Sequence, residues 1–503
     1  MPVLEIIRTQ GVPVKLFANQ VDEGARRQLV DLAESGIAEE FVAAMPDVHF
    51  GMGATIGSVF ASSWAICPNA VGVDIGCGMA AIPFPGLIKD RLSEDMKWAI
   101  HTRIKREIPT GMSVHPTEQK GSILDDEERS SWLSRQLTGR ALRSLGTLGG
   151  GNHFIEIVHD PEGKVWIMLH SGSRNLGKIT AERYDGMARA GMKAKAVTPR
   201  NRDLNWLAID SGEGREYLLD MGWCQRFALA NREAMLRTIA GILEEETDSG
   251  PDWAGLVNIH HNFASLEEVR FKDASGAWVE KRLWITRKGA TSARQWQKGL
   301  IPGSMAAGSW LVEGLGNWES WYSCSHGAGR SKSRTASFAE ITQSSFEAAM
   351  TGIVAETVAE LRDEAPQAYK DLGSVMDSQS DLVKPILRLL PLINVKGWDP
   401  AGAASWAREK IHVTFLGAGE LGIEIAYVEF HGSAQAGSPA SEWVAVGEFM
   451  LKPMSPAGSP KREFWVKAGE GATHRILLSC VLADASDELL SFQVQSVKKR
   501  EKL

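Results

Sequence analysis

The chain has 503 residues, a length that predicts roughly two to four domains. A hydrophobic content of 44%, a charged content of 23% and a formal charge of −7 are ordinary for a globular protein, and they exclude binding of nucleic acid through bulk positive charge. The sequence has no apolar run of ~18 residues and no signal-peptide pattern, so we expect no membrane association. Its 5 widely spaced cysteines predict a reducing compartment, by default the cytoplasm.

The first part of the chain predicts strands on either side of a helical region. Two strands joined by a glycine turn are expected in V-H-F-G-M-G-A-T-I-G-S-V-F-A, and a buried strand broken at a tight turn in A-V-G-V-D-I-G-C-G-M-A-A. Residues 91–143 are charged and helical in character. Residues 145–170 predict a hairpin, because a D-P-E-G turn separates H-F-I-E-I-V from K-V-W-I-M-L-H.

Two long helices are predicted further along the chain. An apolar stripe that includes Met235 and Ile239 predicts a helix from Arg215 to about Leu243. Residues 283–335 are glycine-rich strands and turns, and a second periodic stretch predicts a helix from about Phe338 to Leu361.

The composition changes near residues 395–404. Beyond this point short β-patterned runs are separated by the loop compositions G-S-A-Q-A-G-S-P and P-M-S-P-A-G-S-P. We therefore predict an α+β domain with mixed β-sheets flanked by helices at residues 1–402, followed by a separate β-rich domain at residues 403–503.

Potential metal ligands stand in short glycine-rich motifs, namely Asp74 and Cys77 in V-G-V-D-I-G-C-G, His153 in G-G-G-N-H-F-I-E, His170 in L-H-S-G-S-R and His261 in H-H-N-F. Thiolate, imidazole and carboxylate together suit a transition metal better than Mg²⁺ or Ca²⁺. The glycines of the D-x-x-C motif let both side chains converge, and a thiolate can bridge two ions. Taken singly, the cysteine could be a buried structural residue and each histidine a core residue.

The predicted hairpin favours the metal interpretation. His153 begins one arm and His170 ends the other, so antiparallel pairing can bring them together. His260 and His261 are adjacent and point to opposite faces of a strand, so one of them joins a given site.

His326 lies in S-H-G-A-G-R-S-K-S-R-T, a stretch rich in glycines, hydroxyl groups and cations that suits a phosphate. A carboxylate such as Asp47, in P-D-V-H, could orient the imidazole and leave one ring nitrogen free to attack. The alternative is a phosphate-binding loop in which His326 only forms a hydrogen bond.

Eight ordered motifs across roughly residues 1–397 resemble the RtcB family of RNA-splicing ligases. They are M-P-D-V-H-F-G-M-G-A-T-I-G-S-V, V-G-V-D-I-G-C-G-M, L-G-T-L-G-G-G-N-H-F-I-E, L-H-S-G-S-R, H-H-N-F, T-R-K-G-A, I-P-G-S-M and C-S-H-G-A-G-R. The resemblance implies an RtcB-like catalytic domain and a ligase that depends on GTP and two Mn²⁺ ions. Such a ligase joins RNA ends bearing a 2′,3′-cyclic phosphate or 3′-phosphate to 5′-hydroxyl ends, in transfer-RNA splicing or RNA repair.

The resemblance also implies roles for individual residues. His326 would form a histidine–GMP intermediate, with Asp47 as its partner. Asp74, Cys77 and His153 would hold one Mn²⁺, and Cys77, His170 and His261 the other. Arg174 would contact an RNA phosphate. The expected guanylate pocket comprises Asn152, His153, Phe154, Ile155, Glu156, His261, Asn262, Pro302, Gly303, Ser304, Met305, Ser309, His326, Gly327, Ala328, Gly329 and Lys396.

The sequence departs from the family pattern at two places. Met52 stands where relatives often carry lysine, and residues from about 403 onward have no counterpart in short bacterial members. That extension could recruit substrate or form oligomers, and an activating protein partner is a further open question. Two other functions stay open: a non-catalytic protein that binds RNA ends, and a metal-dependent phosphodiesterase that opens cyclic phosphates.

Overall fold

The computed structural model describes residues 3–398 and, further on, the strand residues 410–411, 428–429, 444–446, 449–453, 461–467, 474–486 and 489–502. The chain divides into two compact units, Met1–Trp398 and Asp399–Leu503. None of the described helices has the length and apolarity needed to span a membrane.

The strands of the first unit are, in chain order, β1 (Glu5–Ile7), β2 (Val14–Leu16), β3 (Glu39–His49), β4 (Ile56–Ser62), β5 (Ala65–Ile66), β6 (Gly78–Ile88), β7 (Phe154–His159), β8 (Lys164–Ser171), β9 (Leu207–Ala208), β10 (Val257–His260), β11 (Asn262–Lys272), β12 (Trp278–Lys288), β13 (Ala290–Ser292), β14 (Lys298–Pro302), β15 (Ser309–Gly314), β16 (Ser323–Ser325), β17 (Val354–Ala355) and β18 (Val383–Lys396).

Its α-helices are α1 (Glu23–Ala33), α2 (Pro68–Val71), α3 (Glu94–Glu107), α4 (Ser122–Asp125), α5 (Ser131–Gln136), α6 (Arg174–Ala194), α7 (Gly212–Thr247), α8 (Arg334–Glu340), α9 (Gln343–Ala349) and α10 (Leu372–Asp377). Short 3-10 helices span Lys89–Arg91, Trp253–Gly255, Trp318–Ser320, Ala359–Glu364 and Pro366–Ala368.

Two large mixed sheets form the framework of the first unit, which confirms the predicted α+β class. One has the strand order β1-β2-β3-β4-β12-β11, and the other has the order β10-β6-β8-β7-β18-β15-β14, with β17 paired to β18. The predicted ligands lie at neighbouring strand ends of the second sheet: Asp74 and Cys77 just before β6, His153 just before β7, His170 near the end of β8 and His261 just after β10. The predicted hairpin is confirmed, because β7 pairs antiparallel with β8 and places Phe154 opposite His170.

The long helix α7 packs along the second sheet. The side chain of Ser211 caps its first turn by accepting a hydrogen bond from Gly214 N, and Asp248 ends it in the left-handed conformation. The apolar residues Met235, Ile239 and Leu243 are fully buried in the same cluster as the sheet residues. The helix predicted from Arg215 to Leu243 is therefore confirmed, with one extra turn at its C-terminal end.

The second predicted long helix, from Phe338 to Leu361, is wrong. The chain leaves α8 at Glu340, and the hydroxyl of Thr342 caps a new helix by accepting a hydrogen bond from Ser345 N. Gly352 then turns with a positive φ of 84°, and Val354 pairs with β18. A capping hydroxyl and a left-handed glycine interrupt the periodic apolar pattern. Phe346, Met350 and Leu361 still pack in one cluster, whereas Val354 packs with the second sheet.

The strand predicted through A-V-G-V-D-I-G-C-G-M-A-A is correct only in its last four residues, after the tight turn. Pro68 opens the one-turn helix α2, which ends at Val71, and β6 begins at Gly78. Proline at the first helical position explains the difference, since its fixed φ favours a helical start.

The described strands of the second unit are β19 (Lys410–Ile411), β20 (Val428–Glu429), β21 (Val444–Val446), β22 (Phe449–Pro453), β23 (Lys461–Lys467), β24 (His474–Ser486) and β25 (Leu489–Lys502). β21 to β25 form an antiparallel sheet in sequential order, in agreement with the β-rich prediction.

Candidate metal centre and histidine site

Asp74 and Cys77 lie in the turn that connects α2 to β6. The turn is closed by a hydrogen bond from Cys77 N to Asp74 O at 3.1 Å. Gly78 follows it, and a Cβ at that position would lie 1.9 Å from the carbonyl oxygen of Ile259. A glycine is therefore required for β6 to approach β10 so closely, and that approach brings Cys77 to His261.

The predicted ligands meet in one buried cluster. Cys77 Sγ lies 3.4 Å from His153 Nε2 and 3.2 Å from His170 Nε2. His170 Nε2 lies 3.2 Å from His261 Nε2, and His153 Nε2 lies 3.2 Å from Asp74 Oδ2. Two groups, Asp74–Cys77–His153 and Cys77–His170–His261, each keep their ligand atoms within 4.8 Å of one another.

Backbone carbonyl groups fix the orientation of two of the imidazoles. Nδ1 of His153 lies 2.9 Å from Leu148 O, and Nδ1 of His170 lies 3.1 Å from Asn152 O. A protonated Nδ1 donates to each carbonyl, so the lone pair is left on Nε2 and faces the cluster. Burial, together with neighbouring imidazoles, lowers the pKa of His170 and of His261 well below the ordinary value. Both rings are therefore neutral, which is the form that binds metal.

This donor set fits transition-metal ions. With Nδ1 of His153 donating to Leu148, its Nε2 lone pair faces the carboxylate of Asp74, so two acceptors meet without a proton between them. A cation between them would convert that repulsion into attraction. Burial and the neighbouring Asp74 raise the pKa of the Cys77 thiol well above its usual value, and a bound metal reverses this by stabilising the thiolate. Cys77 belongs to both groups, so it is positioned to bridge two ions.

Adjacent residues of α7 support the segments that carry the ligands. Asn231 Oδ1 accepts hydrogen bonds from Gly146 N and Thr147 N, and its amide group donates to Gly172 O at 3.1 Å. The fully buried Arg232 donates to Gly76 O at 2.9 Å and Ser171 O at 2.8 Å.

Arg232 also lies close to the segment that carries the ligand His261. One of its guanidinium nitrogens is 3.2 Å from His260 Nδ1, next to His261 in the chain. The sequence analysis did not single out Arg232. The sequence feature that could have identified Arg232 is a charged residue on the apolar stripe of a predicted helix.

His326 contacts the predicted carboxylate. Its Nδ1 lies 2.6 Å from Asp47 Oδ2, and the same oxygen accepts a hydrogen bond from His326 N at 3.1 Å. Asp47 is completely buried. Gly329 makes this approach possible, because it has a φ of 71° and a Cβ there would lie 2.7 Å from Asp47 O. With Nδ1 facing Asp47, Nε2 of His326 is the nitrogen left for chemistry.

Several residues of the expected guanylate pocket lie near these histidines. Asn262 donates to Asp74 O at 3.3 Å and accepts from Gly289 N at 2.9 Å. The segments 302–305 and 327–329 meet where Ala328 N donates to Pro302 O at 2.9 Å. Ser309 is buried opposite Pro302 in the β14–β15 pair.

Three side chains of the expected pocket pack into apolar clusters, so only the backbone groups of these residues could contact a ligand. These are Ile155, Met305 and Ala328. Asn152, by contrast, is exposed, and Phe154 is partly buried with Lys396 Nζ 5.9 Å from its ring centre.

A buried charge network surrounds Lys396. Its Nζ lies 2.8 Å from Glu364 Oε2, and Glu364 also pairs with Arg330 at 3.0 Å and Arg334 at 3.3 Å. Burial alone would raise the pKa of Glu364, but these cations lower it to about 2. Sequence analysis missed Glu364, because no local motif marks it. Glu156 differs from Glu364, because burial raises its pKa to about 8. The hydrogen bond from Asn394, at 2.7 Å, lowers the pKa but does not outweigh burial.

Arg174 opens α6 beside the cluster. It adopts a positive φ of 60° and donates to Leu148 O at 3.0 Å and Thr147 Oγ1 at 3.1 Å. Leu148 O is also the partner of His153, so Arg174 helps to orient a predicted ligand.

The fold and the site define a class of protein with two large mixed sheets, two buried groups of potential metal ligands that share one cysteine, and a histidine beside them in contact with a buried carboxylate. Comparison with known proteins is consistent with this class. Residues 28–127 and 114–397 match the family model described as tRNA-splicing ligase RtcB. The chain belongs to the RtcB family, which confirms the resemblance seen in the motifs.

Individual relatives match most of the chain. The RNA-splicing ligase RtcB of Escherichia coli K12 is 38% identical over 415 residues, which cover 78% of this chain and 99% of the relative. The tRNA-splicing ligase RtcB of Aeropyrum pernix is 30% identical over 408 residues, covering 67% of this chain and 83% of the relative. The RNA-splicing ligase RtcB of Mycobacterium tuberculosis is 28% identical over 423 residues, covering 70% and 96%.

Proposed function

We propose that this protein is an RNA ligase that uses GTP and two Mn²⁺ ions to join a 2′,3′-cyclic phosphate or 3′-phosphate end to a 5′-hydroxyl end. The observation that carries the proposal is the position of His326. Its Nδ1 contacts Asp47, and its ring lies against His261, a member of one of the two metal-binding groups. A reactive imidazole next to cations suits attack on a phosphate.

The metal ligands proposed are Asp74, Cys77 and His153 for one ion and Cys77, His170 and His261 for the other. Nitrogen and sulfur donors favour a transition-metal ion over Mg²⁺, and the resemblance to the RtcB family favours Mn²⁺ among the transition metals. When bound, the ions neutralise the charge of the phosphates. The residues of the protein hold the donors in place through carbonyl groups and through Arg232.

The proposed reaction has three transfers after any cyclic phosphate has been opened by hydrolysis. His326 Nε2 attacks the α-phosphate of GTP, a nitrogen–phosphorus bond forms, and pyrophosphate leaves. An oxygen of the RNA 3′-phosphate then displaces the histidine and takes the GMP. Finally the 5′-hydroxyl oxygen attacks the 3′-phosphate, the new phosphodiester forms, and GMP leaves.

Asp47 supports the first transfer. A carboxylate at Nδ1 stabilises the positive charge that develops on the imidazole as Nε2 forms its new bond. Asp47 also accepts hydrogen bonds from His326 N and Gly327 N, so the loop is held while the histidine reacts.

The proposed guanylate pocket supplies both charge and hydrogen-bonding groups. Lys396 offers a cation next to the ring of Phe154, and Glu156 and Asn262 offer polar atoms. Arg174 is proposed to contact an RNA phosphate in addition to orienting the Leu148 carbonyl. The names of the relatives, which are RNA- and tRNA-splicing ligases, support this substrate class.

Labelling with GTP and ligation of RNA test the proposal together. The protein is incubated with α-labelled GTP and Mn²⁺ and then denatured, and we expect an acid-labile adduct that is lost in His326→Ala. His159→Ala is the matched control, because His159 lies at the far end of β7 and contacts the backbone of Asp160. A second reaction supplies RNA strands with a 3′-phosphate and a 5′-hydroxyl, and we expect a joined product.

The two other functions give different results. A phosphodiesterase converts the cyclic phosphate to a 3′-phosphate without an adduct or a joined strand. A non-catalytic binding protein retains RNA and yields neither product. Either result contradicts the ligase proposal.

A further inference from the structure

The segment between Asp185 and Asp203 has an unusual charge. It carries five cations and no carboxylate in a chain whose formal charge is −7. The cations are Arg189, Lys193, Lys195, Arg200 and Arg202. A local excess of positive charge in an acidic protein attracts a polyanion.

The segment lines a surface cavity of about 370 Å³, here called the basic cleft. Arg189, Lys193 and Arg202 contribute the cations, and Met192, Val197 and Pro199 contribute apolar surface. Positive charge beside apolar surface suits a nucleic-acid strand, in which charged phosphates alternate with sugars and bases.

Intramolecular ion pairs account for part of this charge. Arg189 contacts Asp185 at 3.0 Å and Asp203 at 3.8 Å. Arg200 pairs with Glu34. Within residues 3–398, no ion-pair partner is found for Lys193 or Lys195. Arg202 lies 3.6 Å from its chain neighbour Asp203, and its side chain is 92% exposed. Lys193 and the neighbouring Lys195 are therefore available to a ligand, and the exposed Arg202 can exchange its long contact with Asp203 for a phosphate.

The helix dipole of α6 is another reason for positive charge at two of these cations. Lys193 and Lys195 stand at its C-terminus, where the helix dipole favours positive charge. The dipole acts over the last turn of a helix, so it does not account for Arg202. It also gives no reason for an open cavity next to these residues.

The cleft adjoins the loop that follows the Asp47 strand. Asn201 donates to Gly53 O at 3.2 Å, and the side chain of Asn69 donates to Asp203 O at 2.9 Å. Gly53 is six positions after Asp47, a span of at most about 20 Å. The exposed ring of Phe50 lies on this loop, where it can stack on a base.

We propose that the basic cleft binds the phosphate backbone of single-stranded RNA, a few nucleotides away from the end that reacts at His326. This inference rests on the proposed function, because RNA is taken as the substrate. The cleft would add affinity for longer strands without taking part in the transfer of GMP from GTP to His326.

The test compares the full-length protein with the triple variant Lys193→Gln, Lys195→Gln, Arg202→Gln. Fluorescence anisotropy measures binding of labelled single-stranded RNAs of 4 and 12 nucleotides, each with a 3′-phosphate, over a range of salt concentrations. We expect the 12-nucleotide RNA to bind roughly tenfold more weakly to the variant, with the salt slope reduced by about 2, since each phosphate contact contributes about 0.7. Binding of the 4-nucleotide RNA and labelling by GTP should stay unchanged.

The matched control carries three glutamine substitutions at exposed cations elsewhere, Lys272, Arg282 and Lys298. It should bind the long RNA like the wild type. An unchanged salt slope in the cleft variant would overturn the proposal, and so would equal competition by inorganic phosphate and by RNA, which would show a simple anion site. If the wild type gives no adduct and no ligation, the proposed function fails, whereas the binding comparison still decides the role of the cleft.

Discussion

The rings of His261 and His326 lie edge to face, with centres 4.9 Å apart and planes at 69°. His261 also contacts His170, whose ring centre is 4.8 Å away, and His153 follows at 5.1 Å from His170. The four imidazoles thus form a continuous row from one metal-binding group to the carboxylate-bound histidine. A phosphate at His326 would therefore lie within reach of cations held by this row.

Cys77→Ala should remove both metal ions together. Cys77 Sγ belongs to both groups, so its loss leaves each with two ligands. We expect the manganese content, measured by mass spectrometry of the purified protein, to fall from two ions per chain towards zero, and labelling by GTP to disappear. Cys67→Ala is the control, since Cys67 is buried in an apolar cluster. Two retained ions in Cys77→Ala would contradict the bridging role.

Asp47→Asn should slow labelling of His326 without changing the metal content. The amide oxygen can still accept hydrogen bonds from His326 N and Gly327 N, so the loop keeps its shape. The charge that stabilises the imidazole is lost, and we expect a decrease of roughly 100-fold or more in the labelling rate. A rapid-quench assay with α-labelled GTP measures it. A wild-type rate would show that Asp47 is purely structural.

Arg232→Met should weaken metal binding from a distance. The substitution removes the guanidinium donor of Ser171 O and of Asn258 Oδ1, while Gly76 O, next to Cys77, keeps its contact with His260 Nδ1 at 2.9 Å. We expect destabilisation of about 3–5 kcal/mol from buried groups left unpaired. Thermal unfolding with and without Mn²⁺ measures stability, and calorimetric titration measures metal affinity. Arg237→Met on the same helix is the control, because the Arg237 side chain is 62% exposed.

Glu156→Gln should make stability less dependent on pH. Burial raises the pKa of Glu156 from 4.5 to about 8, so the folded protein keeps a proton that the unfolded chain releases. Stability therefore falls as the pH rises from 4.5 to 8, by at most about 1.4 kcal/mol per pH unit from this group. Glutamine can still accept the hydrogen bond from Asn394, so the variant should be more stable than the wild type at pH 8 and similar near pH 4.5.

Urea unfolding at a series of pH values measures this difference. The control is Glu162→Gln, on the same hairpin and well exposed, which should not gain stability at pH 8. An unchanged pH profile for Glu156→Gln would mean that Glu156 is ionised in the folded protein.

Local patterns predicted the elements whose structure depends on near neighbours. The α7 helix follows from a continuous apolar stripe, and the β7–β8 hairpin follows from alternation around a turn. The prediction of one helix from Phe338 to Leu361 was wrong because Thr342 caps a new helix and Gly352 turns the chain within that pattern. A periodic set of apolar residues fits both one long helix and two short elements around the same cluster.

The supporting residues of the site were harder to predict than the ligands. Arg232 and Glu364 act through buried hydrogen bonds and ion pairs with residues far away in the chain, and their own sequence neighbours give no indication of it. Asn231 acts in the same way, since its buried side-chain oxygen accepts hydrogen bonds from the distant loop at Gly146 and Thr147.

By itself, the sequence determined which chemical groups the site offers: the thiol of Cys77, imidazoles and carboxylates, in glycine-rich turns that allow close packing. The tertiary structure decided which of these groups meet. Asp47 and His326 are 279 positions apart, and Cys77 and His170 are 93 apart, so no local rule fixes their distances. Their contacts arise because the pairing of β6 with β8 and β10 brings the ligand-bearing loops to one edge of a sheet, where burial of the apolar core holds them.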